Sequence, residues 1–286
     1  MKKKIIIAAT LAAFMFSACN NDVDDVYVAD EGEIQLLMVH PNEATRATET
    51  AFEKSDSIGV YVTASDAALK LGGNEVNNEL FTYNGTSWTS KRKVYWNSGK
   101  HNVYAYYPFD RKVNDVESYS FSVQLDQSTK YAYTRSDFLW ASASAVAASS
   151  SPVTMKFSHK MSNVVVMLEK GEDFEGDIPS NAEVYLYSTV TKAFVDLSTG
   201  DVAKDSYAGT SSIRCNKVNN TKYQAIVVPQ NINSRRPLVE VIIGDVSYLL
   251  EGKISYKPGY RHTITVTLDK NPEKIKIEVG GEIVNW

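Results

Sequence analysis

Apolar residues alternate with polar ones in short runs along most of this chain, and no long segment carries a sustained 3.6-residue apolar period. Residues 57–63 (SIGVYVT) form one such run, and residues 102–107 (NVYAYY) form another that stops at Pro108, which has no amide hydrogen for a ladder. Residues 80–83 and 86–89 flank Asn84-Gly85, whose preference for positive φ predicts a hairpin. Further runs follow at residues 153–168 (two of them), 184–187, 194–197, 223–228, 238–243, 246–250 and 262–268. Residues 274–279, Gly280-Gly281 and residues 282–286 repeat the hairpin pattern. Residues 64–71 predict at most one short helical turn. Strands at this spacing predict an all-β chain built from sandwiches.

The start of the chain has a different pattern. Three lysines precede a short apolar run that ends in Phe16-Ser17-Ala18-Cys19, the layout of a signal peptide over residues 1–18. The run is too short to remain as a membrane span. The small residues before Cys19 resemble a lipobox, in which the thiol becomes acylated and the cysteine becomes the mature N-terminus. Phe16 stands where leucine is more usual. Two or more acyl chains at this position give stable anchoring where one does not. Residues 19–32 hold five acids and no base, and they read as an acidic tether. Asp22, Asp24 and Asp25 lack the loop spacing and glycine of a calcium site.

Charge separates the leader from the body. Without residues 1–18 the chain has 27 basic against 34 acidic residues; without everything through Arg46 it has 26 against 27. The excess negative charge therefore lies ahead of the folded body. A pI near 5.7 argues against general nucleic-acid binding. Two cysteines, Cys19 and Cys215, exclude a disulfide framework, and the four histidines are too scattered for a zinc motif. No phosphate loop, HExxH or GxSxG is present, so the sequence predicts neither an enzyme nor a cofactor. Trp88, Trp96 and Trp140 offer a glycan platform in principle, but aromatics in sandwiches more often line cores. The small, polar residues 141–151 mark a composition break. They divide the body into an N-terminal domain (33–151) and a C-terminal domain (152–286).

An ordered set of stretches resembles the fimbrillin family, the lipoprotein pilus subunits of Bacteroidetes-type fimbriae also called fimbrillin-like or Mfa-like. They are residues 45–62 (TRATETAFEKSDSIGVYV), 96–108 (WNSGKHNVYAYYP), 137–141 (DFLWA), 153–166 (VTMKFSHKMSNVVV), 225–230 (AIVVPQ), 256–259 (YKPG) and 283–286. The resemblance implies two transthyretin-like β-sandwich domains in tandem, export as a surface-exposed outer-membrane lipoprotein, and assembly into fimbriae that support adhesion. The implied partners are other fimbrial subunits and a host or bacterial surface receptor.

The resemblance also implies a mechanism. Residues 33–46 form a removable first strand with Ile34, Leu36 and Met38 on one face. Proteolysis between Arg46 and Ala47 frees it, and an extended segment of another subunit fills the slot by strand addition. The donor candidate is the C-terminal segment, with Ile275, Ile277 and Val279 alternating with charged residues, followed by Ile283 and Trp286. A closing hairpin of the second sandwich explains the same residues equally well. A subunit without a free donor would be a fibre tip or an anchor, and a monomeric lipid-anchored protein that binds glycan or host protein is the remaining alternative. His159, His262 and Cys215 read as structural.

Overall fold

A computed structural model describes residues 32–41, 51–270 and 275–279, and the backbone of 284–285. Cys19, Arg46, Ala47, Ile283 and Trp286, together with the signal peptide and the tether up to residue 31, lie outside the described residues. The fold is all-β, with a single short helix among the described residues.

The first half contains β1 (Leu36–Val39), β2 (Ser57–Ala64), β3 (Val76–Tyr83), β4 (Trp88–Ser90), β5 (Lys100–Tyr107), β6 (Tyr119–Ser122), α1 (Lys130–Arg135), β7 (Leu139–Ala147), β8 (Val153–Lys156) and β9 (Ser158–His159). Six of these form one sheet in the order β4-β3-β2-β5-β7-β9, while β1 and β8 form a separate parallel pair. An apolar cluster between them contains Ile34, Met38, Ile58, Val60, Val103 and Met155. The β3–β4 hairpin has a four-residue loop rather than a two-residue Asn-Gly turn. Asn84 Oδ1 accepts from the amides of Thr86 and Ser87, both at 2.8 Å, and this wide turn outcompetes the tight one.

The middle strands of this sheet are covered on both faces. Ile58, Val60 and Val62 face the first cluster, whereas Tyr61 of β2 and Tyr106 of β5 join a second, larger cluster. Such strands need near-continuous apolar sequence, which SIGVYVT and NVYAYY supply. Gly59 leaves room for Tyr106, because a Cβ there would overlap the tyrosine ring.

The second half contains β10 (Ser162–Lys170), β11 (Glu183–Val190), β12 (Lys192–Val195), β13 (Val202–Lys204), β14 (Thr210–Arg214), β15 (Asn216–Lys217), β16 (Lys222–Val227), β17 (Gln230–Ile243), β18 (Val246–Tyr256), β19 (Tyr260–Leu268), β20 (Lys276–Val279) and β21 (Val284–Asn285). One sheet runs β15-β16-β10-β19-β20 with β21 also on β19, and a second runs β14-β11-β17-β18. Val164, Val166 and Ile264 from the first and Leu186, Val239 and Val241 from the second share one core. A small sheet, β13-β12-β6, ties the two halves together.

Two features differ from the sequence expectations. The first two strands after residue 151 stay with the first half, since β8 pairs with β1 and β9 with β7. The core changes between Phe157 and Met161. Conversely, Val116, Tyr119, Phe121 and Tyr133 pack into the second core. Gln127 fastens this crossing segment: its side-chain amide donates to Ile226 O and accepts from Ile226 N, both at 2.8 Å, imitating a strand partner. The composition break at 141–151 marks the end of β7 and a loop rather than the change of core. Residues 64–71 form a turn; the helix is α1 instead, started by Thr129, whose Oγ1 accepts from Ala132 N at 3.2 Å.

Candidate functional site: the slot of the first strand

The first strand lies between two walls. On one side β8 runs parallel to it, with Leu36 opposite Val153 and Met38 opposite Met155. The Val153 amide donates to Gln35 O at 2.9 Å, and the Phe157 amide donates to Val39 O at 3.0 Å. On the other side Glu33 forms an antiparallel bridge with Tyr95. The Ile34 amide donates to Val94 O at 2.8 Å, and the Trp96 amide donates to Gly32 O at 2.9 Å.

The expected inward face is present. Ile34 and Met38 are 4% and 6% exposed in the first core, and Leu36 is half-buried against it. Leu37 between them is 54% exposed, as the two-residue side-chain period requires. Burying these three inward side chains contributes roughly 4–8 kcal/mol before the entropy of ordering the strand.

Both ends of the strand carry polar markers that the sequence pattern did not reveal. At the start, the buried Glu33 carboxylate lies 3.4 Å from Lys93 Nζ. At the end, the His40 ring stands edge-on to Phe52, with centroids 5.0 Å apart, and to His159 at 5.8 Å. His159 Nδ1 in turn is 2.8 Å from Asp137 Oδ2. Burial lowers the His40 pKa to about 4; His159 adds to the effect and Asp137 opposes it. His40 is therefore neutral at pH 7. Phe52 also packs against Trp88, Tyr107 and Phe157. His40 and Phe52, each one residue outside Pro41 and Ala51, which flank the segment carrying Arg46 and Ala47, are thus fixed at one place. These contacts join residues far apart in sequence, so periodicity contains no sign of them.

The C-terminal segment is docked on its own chain. β20 pairs antiparallel with β19, with Val279 opposite Ile264 and Ile277 opposite Val266, and β21 pairs with Tyr260 and Arg261 of the same strand. The two pieces do not fold back on each other as the Gly280-Gly281 pattern predicts. The nine-residue β19 is long enough to partner both in turn. Ile275, Ile277 and Val279 are half-buried against the second core, while Lys276 and Glu278 are exposed. A Cβ on Gly252 of β18 would come within 3.3 Å of Val279, so β18 lies close over this strand.

Other sequence candidates are held structurally. His262 is buried and accepts from the Lys257 amide at 2.9 Å, and burial pushes the Cys215 thiol up. Each of the three candidate tryptophans has its own packing: Trp88 against Phe52 and Tyr83, Trp96 against His101, and Trp140 under Lys160 with Nε1 donating to Leu197 O.

A family model described as "Fimbrillin-like" matches residues 45–286. The chain belongs to the fimbrillin-like family. Among its relatives, the Bacteroides ovatus protein named "Putative fimbrium tip subunit Fim1C" is 28% identical over 221 residues, covering 67% of this chain and 40% of that protein. The fimbrillin-like chain thus spans well under half the length of that relative. The Bacteroides uniformis "Putative fimbrium subunit Fim1C" is 22% identical over 300 residues, covering 100% of the chain and 96% of the relative. In fold, the chain is similar to the crystal structure of a "putative cell adhesion protein" from Bacteroides ovatus, with a TM-score of 0.72 at 21% identity and coverage of 91% and 99%. A second structure of the same description, from Bacteroides uniformis, gives 0.69 at 17% identity and coverage of 89% and 98%.

Proposed function

We propose that this fimbrillin-like chain is a structural subunit of surface fimbriae, and that it polymerises by exchanging its first strand for a segment of another subunit. Export follows lipidation at Cys19 and delivers the chain to the outer membrane. Cleavage between Arg46 and Ala47 then disconnects the strand from the body. Its departure unpairs the amides of Val153, Phe157 and Trp96 and the carbonyl of Val94, beside an apolar groove lined by the first core. An extended segment with alternating apolar residues restores both kinds of contact.

One observation supports this reading above the others. The first strand is held by short ladders and one apolar face, and His40 and Phe52, on either side of the cleavage segment, pack against each other. A cut there leaves the strand attached by non-covalent contacts alone.

A second reading within the same class is that the chain sits at one end of a fibre. It is favoured by the pairing of β20 and β21 with the chain's own β19, which a donor role for Ile275, Ile277, Val279, Ile283 and Trp286 would have to undo. Limited trypsin treatment of purified protein tests the choice. Ladders or filaments after cutting at Arg46 support the stalk subunit. Clean cutting that leaves a monomer contradicts it and supports the terminal role.

A further inference from the structure

The apolar pattern of the first strand leaves its register incompletely specified. A one-residue slip turns Ile34, Leu36 and Met38 to solvent and is strongly disfavoured. A two-residue slip returns the same face to the core, because these residues repeat with period two. Something other than the apolar face must choose between registers two residues apart.

Against the slip that the apolar face tolerates, a charged side chain makes that choice. The Glu33 carboxylate is buried, and a buried carboxylate is costly unless it is paired. Lys93 supplies the partner at 3.4 Å from the wall that also pairs with the strand's backbone. The neighbouring Arg92 is directed elsewhere, with its guanidinium 3.0 Å from Glu79 Oε2. Sliding the strand back by two residues would place Leu36 in the buried site of Ile34 but Gln35 in the position of Glu33, leaving Lys93 without a carboxylate. Sliding it forward would keep a carboxylate there, Glu31, but put Gly32 in the site of Ile34, so the apolar face itself opposes that register.

We propose that Lys93 is the register-setting residue of this slot: it selects a strand with a carboxylate immediately before its first inward apolar side chain. The first strand meets this rule with Glu33-Ile34. An incoming segment from another subunit would have to meet it as well; that second statement rests on the exchange mechanism proposed above, whereas the first does not.

Engineered disulfides read the register directly in the full chain with Cys19 replaced by Ser. Leu37 lies opposite Thr154, so L37C with T154C reports the native register, and L37C with P152C reports the backward two-residue slip that brings Gln35 beside Lys93. The expected result is that E33K or K93E alone lowers the native-to-slipped crosslinking ratio about fivefold, and that E33K/K93E together restores it. A ratio unchanged by the single variants, or not recovered in the double, overturns the proposal. Lys93 is exposed, and K93Q provides a version without charge reversal that should show a smaller loss of the same sign.

The incoming strand is tested separately. A labelled peptide of residues 32–41 is offered to protein cut at Arg46, in wild-type and E33K forms. Exchange of the wild-type peptide with about fivefold weaker binding of the E33K peptide, reversed on the K93E protein, supports the rule for foreign strands. Equal binding of both peptides overturns that rule. If neither peptide enters, the exchange mechanism fails, and the crosslinking result still decides the role of Lys93.

Discussion

Acid should loosen the first strand through His40. The docked ring is buried beside Phe52 and His159, and its pKa is lowered from 6.5 to about 4. The released strand has a histidine of ordinary pKa, so between pH 6.5 and 4 the released state binds the proton and the docked state does not. The sign follows directly. Docking has its full strength above pH 6.5, weakens as pH falls toward 4, and loses nothing further from this group below that. The full window is worth about 3 kcal/mol, at about 1.4 kcal/mol per tenfold shift in proton affinity. Between pH 7 and pH 4.5 the population with a detached strand should rise about 50-fold. Amide hydrogen exchange at Leu36–Val39, corrected for its intrinsic pH dependence, measures that population. H40F retains an aromatic ring against Phe52 without the titration, and its corrected exchange should change less than about threefold over the same range. The reasoning is refuted if wild type and H40F show the same pH dependence, or if protection in the wild type is flat from pH 7 to pH 4.5.

The remaining predictions concern packing. M38A should weaken docking of the first strand by about 2–5 kcal/mol, while L37S on its exposed face should change it by no more than about 0.5 kcal/mol, both read by exchange at the same amides. G59A should lower the unfolding midpoint by an amount equivalent to about 1–3 kcal/mol, because the new methyl must displace the Tyr106 ring. Denaturant titration measures this, and an unchanged midpoint would show that Tyr106 is free to move. Q127A leaves both the amide and the carbonyl of Ile226 without their partner and should cost about 2–3 kcal/mol in the same assay.

The sequence made the inward face of the first strand legible because one side of the strand is buried and the other is not, so Ile34, Leu36 and Met38 announce themselves by alternation. The same logic made β19 readable, where buried and half-exposed residues alternate from His262 to Leu268. Readability ended where the chain crosses between cores. Met155 and Phe157 look like any apolar pair, and only the tertiary structure shows that they serve the first core while Met161 serves the second. The helix α1 is six residues long, too short to establish a period. The parallel pairing of β1 with β8 joins segments more than a hundred residues apart and depends on the packing of the whole first half. For the same reason Lys93, Phe52 and His159 were not recognisable as parts of the site: each is positioned by a different element, and their chemistry appears only when the first strand lies between them.

The central claim is that the first strand leaves the chain and that its slot is filled by a neighbouring molecule. Mass spectrometry of the subunit recovered from assembled surface material tests this most directly. The account predicts Ala47 as the first residue, with no peptide from residues 33–46 retained in the fibre. Recovery of assembled subunits in which Glu33 to Val39 remain in stoichiometric amount would contradict it.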